Sequence, residues 1–140
     1  MLALDLGKRR IGLALSDALG ITAQGLETLE RTNMRNDLAR LARLAAENDV
    51  SLFLMGDPLH MSGRAGRQAE YAREFAERLR AASGLPVDFW DERLTTVEAQ
   101  RVLRQSGISI EKRAKAVDRL AAVILLESYL DAQSQHPEQS

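Results

Sequence analysis

The sequence predicts a single α/β domain built around a mixed β-sheet. Two short strand-like segments open the chain on either side of the turn GKRR, which favours antiparallel pairing. Later apolar strand segments alternate with segments of helical spacing, the pattern of strands joined through helical crossovers. The length of 140 residues suits one compact domain, and the chain shows no repeat and no linker.

The opening strands are predicted at residues 2–6 and 11–16. In both, large aliphatic residues alternate with small or polar ones, so each strand has one hydrophobic face and one face of small or polar residues. Asp5 belongs to the small-residue face of the first strand. Aspartate is a poor strand former and an unpaired buried carboxylate is costly, so this position requires an explanation. A weaker pattern predicts a third antiparallel strand at 21–29.

Hydrophobic periodicity and capping residues define the middle of the chain. Leucines recur at helical spacing over 34–47, and Asn33 is a suitable N-cap. The apolar run at 50–56 is typical of a strand covered on both faces. A helix is predicted over about 67–82, and a further strand over 86–90.

The last third of the chain is predicted to be mainly helical. Thr95 and Glu98 are spaced as a capping box, which predicts a helix from Thr96. Residues 106–114 are interpreted as a loop. The segment KAVDRLAAVILLESYLDA (115–132) is apolar around most of its circumference, so it predicts a long, largely buried helix.

These elements place the domain at residues 1–131 and a disordered tail at 132–140. Trp90, which ends the last predicted strand, is interpreted as a core residue rather than a base-stacking platform.

Composition excludes several classes of protein. The chain has no cysteine, which excludes disulfides and thiolate metal sites. No apolar stretch approaches ~18 residues and no signal-peptide pattern opens the chain, so we expect a cytoplasmic protein. The net charge of −1 does not by itself indicate a polyanionic partner. Basic residues nevertheless form three groups: Lys8, Arg9 and Arg10; Arg64 and Arg67; Lys112, Arg113, Lys115 and Arg119.

Acidic residues occur at three places where acids are not expected. Asp5 lies inside the first strand, and Asp91 and Glu92 follow the strand VDFW at its carboxyl end, where open α/β sheets carry their sites. Asp118 lies near the start of the apolar last helix. Each has a structural explanation: an ion pair with Arg10 for the first, ordinary loop carboxylates for the second, a favourable helix dipole for the third.

A shared site would explain all of these acids together. Carboxylates that converge repel one another unless a cation neutralises them. Carboxylate oxygens and water suit Mg²⁺ or Mn²⁺ rather than zinc. A pair of such ions activates a water beside a phosphodiester and stabilises the leaving oxygen. The acids therefore indicate a metal-dependent phosphodiesterase.

Four segments carry a recognisable family pattern: ALDLGKRRIGLALSD, MGDPLHMSGRAGRQAE, FWDERLTTVEA and KAVDRLAAVILLESYL. Together they resemble the YqgF/RuvX family of pre-16S rRNA nucleases and Holliday-junction-resolvase-like proteins, from Leu2 to about Leu130. The resemblance implies an RNase H-like fold with a mixed five-stranded sheet and helices on both faces. Lys8 and Asp57 depart from the pattern, since the family commonly has threonine and an apolar residue there; both leave the acids intact.

The resemblance also implies roles for individual residues. Asp5, Glu92 and Asp118 are the expected catalytic acids and ligands of Mg²⁺ or Mn²⁺, with Asp91 as a further candidate ligand. The expected nucleic-acid contacts, which would position a phosphate backbone without reading its sequence, are Lys8, Arg9, Arg10, Arg64, Arg67 and Arg93. The implied function is an endonuclease that processes the 5′ end of pre-16S rRNA or cuts Holliday-junction-like DNA.

Two alternatives stay open at this point. A non-catalytic RNase H-like factor could bind nucleic acid in rRNA processing or transcription, with its acids vestigial. The tripeptide DLG after a first strand also occurs in actin-like ATPases and sugar kinases, but their two lobes need more than 140 residues. The sequence does not choose between RNA and DNA, between the two metals, or between a monomer and the homodimer that junction cutting generally requires.

Overall fold

The computed structural model describes residues 1–17, 22–57, 65–91 and 110–135. These ranges contain five strands and three helices. In chain order they are β1 (Leu2–Leu6), β2 (Arg10–Ser16), β3 (Ala23–Glu30), α1 (Met34–Glu47), β4 (Phe53–Asp57), α2 (Ala65–Ser83), β5 (Val87–Asp91) and α3 (Ile110–Gln135).

The strands form one mixed sheet in the order β3-β2-β1-β4-β5. The first three pair antiparallel, whereas β4 is parallel to both β1 and β5. A parallel pair needs a crossover connection, and α2 supplies the one between β4 and β5. The predicted mixed α/β architecture is therefore confirmed.

The two faces of the sheet carry different hydrophobic clusters. On one face, large side chains of the sheet such as Leu4 and Met55 are buried beneath α1 and α2, and α2 contributes Phe75. On the other face, smaller residues such as Ala3 lie beneath α3, which contributes Leu126. Because β4 contributes to both clusters, its predicted coverage on both faces is confirmed.

The ends of α1 and α2 show how local chemistry sets boundaries. The Asn33 side chain accepts a hydrogen bond from the Asn36 backbone N–H at 2.9 Å, which confirms the predicted N-cap. Gly84, immediately after α2, has a φ of +72°, and its N–H donates to the Arg80 carbonyl at 2.8 Å. Glycine adopts this left-handed conformation without steric penalty, so it ends the helix there.

The last helix is longer than predicted at both ends. It begins at Ile110, so the prediction of a loop is wrong for residues 110–114, which are helical. It ends at Gln135, so residues 132–135 continue the helix instead of opening a disordered tail. No glycine or proline occurs between Gly107 and Pro137, and good helix formers such as Glu, Lys, Arg and Ala fill the first extension.

The helix predicted from Thr96 lies outside the described residues. No helix in the described ranges combines the length and apolar character needed to cross a membrane.

Candidate functional site

Asp5 lies near the carboxyl end of β1, the central strand of the sheet. It pairs with Gly12 of β2, and Gly56 of β4 stands on its other side, one step beyond the last registered pair of the two strands. Ala3, two residues earlier, packs in the cluster under α3, so strand alternation places Asp5 on that same face. Asp5 is half-buried, and neither flanking position carries a side chain. No neighbouring side chain in the sheet therefore stands beside the carboxylate.

Trp90 anchors the end of β5 to the covering helix. It pairs with Gly56, which puts it in the same row of the sheet as Asp5. Its ring meets Tyr129 edge-on, with the ring centroids 5.2 Å apart, and its Nε1–H donates to Ser128 Oγ at 3.0 Å. Trp90 packs against the cluster under α3 but is only partly buried, so it is less enclosed than the predicted core residue. It ties α3 to the strand that precedes Glu92 in the sequence.

The backbone of Asp118 lies in α3, one turn before Ala121 and Ala122. Both alanines are buried in the structure, at 2% and 0% exposure, so this part of the helix packs with small side chains. Arg119 lies over Gly25 of β3, where an added Cβ would come within 2.8 Å of the Arg119 Cγ. The helix thus crosses the Asp5 face from β3, near Arg119, to β5.

The predicted acids are placed to different degrees. Asp5 is described with its side chain, Asp91 is described as the last residue of β5 in register with Asp57, and Asp118 is described as a helical residue. Glu92 lies outside the described residues, as do the side chains of Asp91 and Asp118. Among the side chains that the structure describes, no three His, Asp or Glu residues form a group able to hold a metal ion.

The structure also describes only some of the basic residues predicted to contact nucleic acid. Lys8 and Arg9 are exposed and Arg10 is half-buried, all three at the β1–β2 turn. Arg67 lies in α2, with its side chain outside the described set. Arg64 and Arg93 fall outside the described residues altogether.

The β1–β2 turn places two cations beside the carboxyl end of β1. The Gly7 N–H donates to the Arg10 carbonyl at 3.0 Å, which closes a tight turn with Lys8 and Arg9 at its tip. A Cβ added to Gly7 would lie 2.6 Å from that carbonyl oxygen, so only glycine fits this close approach. The turn follows Asp5 by two residues, so the cations lie near the candidate acid.

Arg31 links this turn to both helices of the opposite face. Its Nε donates to Asp37 Oδ2 at 3.1 Å, its Nη1 donates to the Gly7 carbonyl at 3.0 Å, and its Nη2 donates to the Tyr71 hydroxyl. The guanidinium carbon also lies 5.3 Å from the Tyr71 ring centroid and 5.6 Å from that of Phe75. Burial alone would lower the pKa of Arg31, but its hydrogen bonds with Tyr71 and Asp37 raise that pKa above its ordinary value.

Sequence reasoning missed this network. Asp37 is fully buried at the start of α1, yet an aspartate in a first helical turn is ordinarily a solvated capping residue. Tyr71 is 40 residues from Arg31 in the chain. No local spacing announces such a contact.

A groove of about 470 Å³ runs between β3 and α1. Leu13 and Leu29, which line it, belong to the cluster of large side chains, so the groove lies on the face opposite Asp5. Its rim mixes Glu27 and Glu47 with Arg43. It is separate from the candidate site.

The sheet order and the helices on both faces define an RNase H-like α/β domain. Its fold is similar to that of "T. thermophilus RuvC in complex with Holliday junction substrate", with a TM-score of 0.58 and 14% identity over 96% of each chain. A second structure, "Thermus thermophilus RuvC structure", gives a TM-score of 0.54 and 13% identity over 96% of this chain and 97% of that one. At these identities the likeness shows the fold alone.

Sequence comparison defines the family. The family model described as "RuvX: Holliday junction resolvase" matches residues 1–132. A relative from Koribacter versatilis is 55% identical over 131 residues, covering 94% of this chain and 86% of the relative. One from Symbiobacterium thermophilum is 47% identical over 137 residues, covering 98% and 95%. Both relatives are named "Putative pre-16S rRNA nuclease". The chain belongs to the RuvX family, which confirms the resemblance seen in its four motifs.

Proposed function

We propose that the chain is a metal-dependent nuclease that processes the 5′ end of precursor 16S rRNA. The observation that carries this proposal is Asp5, a half-buried acid between two glycines, on the sheet face crossed by the helix that contains Asp118. The names of its close relatives in the RuvX family support the substrate.

The chemistry of Asp5 suits a divalent ion of the Mg²⁺ or Mn²⁺ kind. The Asp5 carboxylate offers hard oxygen donors, and its neighbours Gly12 and Gly56 place no side chain beside it. Neutralisation by a cation would also offset the free-energy cost of placing an acid in this strand. We assign Glu92 and Asp118 as the other ligands, with Asp91 as an additional candidate.

Divalent ions held by these carboxylates would activate a water and stabilise charge on the leaving oxygen. The basic residues would hold the phosphate backbone in place. Lys8 and Arg9 have the exposure for this role, and the other proposed contacts are Arg10, Arg64, Arg67 and Arg93. Because the net charge is only −1, binding would depend on these local groups and weaken steeply with salt.

A cleavage panel tests the proposal. The substrates are precursor 16S rRNA 5′ ends, single strands, flaps and four-way junctions, each with Mg²⁺ or Mn²⁺. Asp5→Asn keeps the shape of the side chain but removes its charge. Since a catalytic metal contributes several kcal/mol, we expect cleavage to fall on the order of 100-fold or more. Asp88→Asn, which changes an exposed acid on β5, is the matched control and should leave cleavage intact.

Unchanged cleavage by purified Asp5→Asn would overturn the metal-ligand assignment. Binding of precursor rRNA without cleavage in either metal would instead favour a non-catalytic binding factor.

A second substrate, a four-way DNA junction, is favoured by the fold shared with RuvC and by the description of the matching family. Cutting a junction at two symmetric positions requires two sites, and therefore a homodimer. Paired cuts on a junction together with a dimeric mass in solution would support this substrate. A monomer that trims only rRNA ends would exclude it.

A further inference from the structure

We propose that Arg31 is a positioning residue that fixes the β1–β2 turn, so that Lys8 and Arg9 meet a nucleic-acid backbone beside Asp5. This inference rests on the proposed nuclease function, because it describes how the same site orients its phosphate contacts.

Arg31 holds the turn on both sides of Lys8. Its side chain donates to the Gly7 carbonyl at 3.0 Å, and its backbone N–H donates to the Arg9 carbonyl at 2.8 Å. A single residue from the end of β3 therefore binds two carbonyl groups of the turn. The turn is fixed relative to β3 as well as by its own closing hydrogen bond.

Arg31 is itself held in a fixed direction. Asp37 is fully buried. Its Oδ2 accepts from Arg31 Nε at 3.1 Å, and its Oδ1 accepts from the Thr32 backbone N–H at 3.1 Å. The Tyr71 hydroxyl accepts from Nη2. A planar guanidinium with three committed donors cannot turn away without losing several bonds at once. The turn is thereby connected to α1 through Asp37 and to α2 through Tyr71.

Arg31 and the two residues that it positions, Lys8 and Arg9, differ in solvent exposure. The Arg31 side chain is only 11% exposed, and its Nε, Nη1 and Nη2 atoms each donate to a protein group, so little of the guanidinium is open to a phosphate. Lys8 and Arg9 are exposed at the tip of the turn. Long cationic side chains lose rotamer freedom when they bind a phosphate, which costs entropy. A turn whose backbone is already fixed adds no further entropy cost for ordering the backbone.

Two variants remove the support in different ways. Arg31→Lys retains a positive charge next to Asp37. An ammonium on a flexible stem does not reproduce the planar guanidinium that donates to Asp37, Gly7 and Tyr71 at once. Arg31→Met combined with Asp37→Asn removes both charges, keeps the net charge, and avoids an unpaired buried carboxylate.

The matched control is Arg80→Lys, because Arg80 Nη2 donates to the Val87 carbonyl at 2.6 Å. Val87 shares its row of the sheet with Phe53 and Leu2, at the end of β1 opposite the turn.

The measurement is the affinity for an RNA stem-loop bearing the precursor 16S 5′ end, in Ca²⁺ to prevent cleavage, over a range of salt. Lys8→Ala with Arg9→Ala should lower the slope of log affinity against log salt by about 1 to 2, as expected for two lost phosphate contacts. Both Arg31 variants should weaken binding about tenfold with a similar loss of slope, and the Lys8/Arg9 change should add little on top of them. Amide hydrogen exchange at residues 7–10 should be faster in the Arg31 variants than in the wild type.

Folded Arg31 variants that bind with the wild-type affinity and slope would overturn the inference. So would additive effects of the Arg31 and Lys8/Arg9 changes, because additivity would make Arg31 merely structural. If the wild type cleaves the RNA and the Lys8/Arg9 change alters nothing, the inference fails while the proposed function stands. A wild type that neither binds nor cleaves any nucleic acid would overturn both.

Discussion

The two faces of the sheet are built from the same five strands but differ in the size of their side chains. Under α1 and α2, the buried cluster is built mainly from leucines, phenylalanines and a methionine. Under α3, the first two strands contribute the alanines Ala3 and Ala14 to the cluster, and Asp5 lies half-buried on the same face at the end of β1. The difference indicates that one face supplies stability, whereas the other holds a polar group at the centre of the sheet.

Shortening a side chain on the large-residue face should have the largest effect on stability. Phe53 is fully buried in that cluster, so Phe53→Ala would remove a ring and leave a cavity. We expect the free energy of unfolding to fall by about 3–5 kcal/mol, measured by urea denaturation. A loss below ~1 kcal/mol would mean that this face is not the stabilising one.

Enlarging a side chain on the small-residue face should disturb stability less and activity more. Ala122 is fully buried between α3 and the sheet, so Ala122→Leu would force the two apart. The expected destabilisation is about 1–3 kcal/mol, with a loss of cleavage beyond that seen in a variant of equal stability on the other face. Equal activities in two such stability-matched variants would contradict the assignment of function to this face.

The two glycines that meet a close neighbour should respond differently to alanine. In Gly7→Ala the new Cβ meets a backbone oxygen at 2.6 Å, whereas in Gly25→Ala it meets the flexible methylenes of Arg119. We expect Gly7→Ala to lower the free energy of unfolding by about 1–3 kcal/mol, and Gly25→Ala to change it by less. Thermal unfolding of the pair tests this order, and the reverse order would refute the tight-turn account.

The contact between α3 and β5 should produce a small dependence on pH. Burial, with a further contribution from Asp88, raises the pKa of Tyr129 above its ordinary value of 10.0. A raised pKa in the folded state means that the stabilisation is complete below pH 10 and is lost as the pH rises through the folded-state pKa. Tyr129→Phe should therefore flatten the fall in the free energy of unfolding between pH 9 and 11. An unchanged slope would show that Tyr129 titrates alike in both states.

Local patterns predicted the elements that local chemistry controls. Alternation located β1 and β2, and the Asn33 side chain marked the start of α1. The ends of α3 were predicted wrongly because no glycine or proline stops the helix near residues 114 or 131. Packing and helix propensity, rather than a local stop signal, therefore set the length of this helix.

The candidate site was predictable only in part. Asp5 stood out because an acid is costly in a strand, and the structure places it opposite Gly12 in the neighbouring strand. The support from Arg31, Asp37 and Tyr71 could not be predicted, since these residues meet only after β3, α1 and α2 have packed together.

The most direct test is a crystal structure of the protein with Mn²⁺, with the metal located by its anomalous scattering. The account predicts an ion bound on the α3 face by the carboxylate of Asp5 together with those of Glu92 and Asp118. An ion bound elsewhere, or carboxylates of Glu92 and Asp118 beyond reach of Asp5, would contradict it.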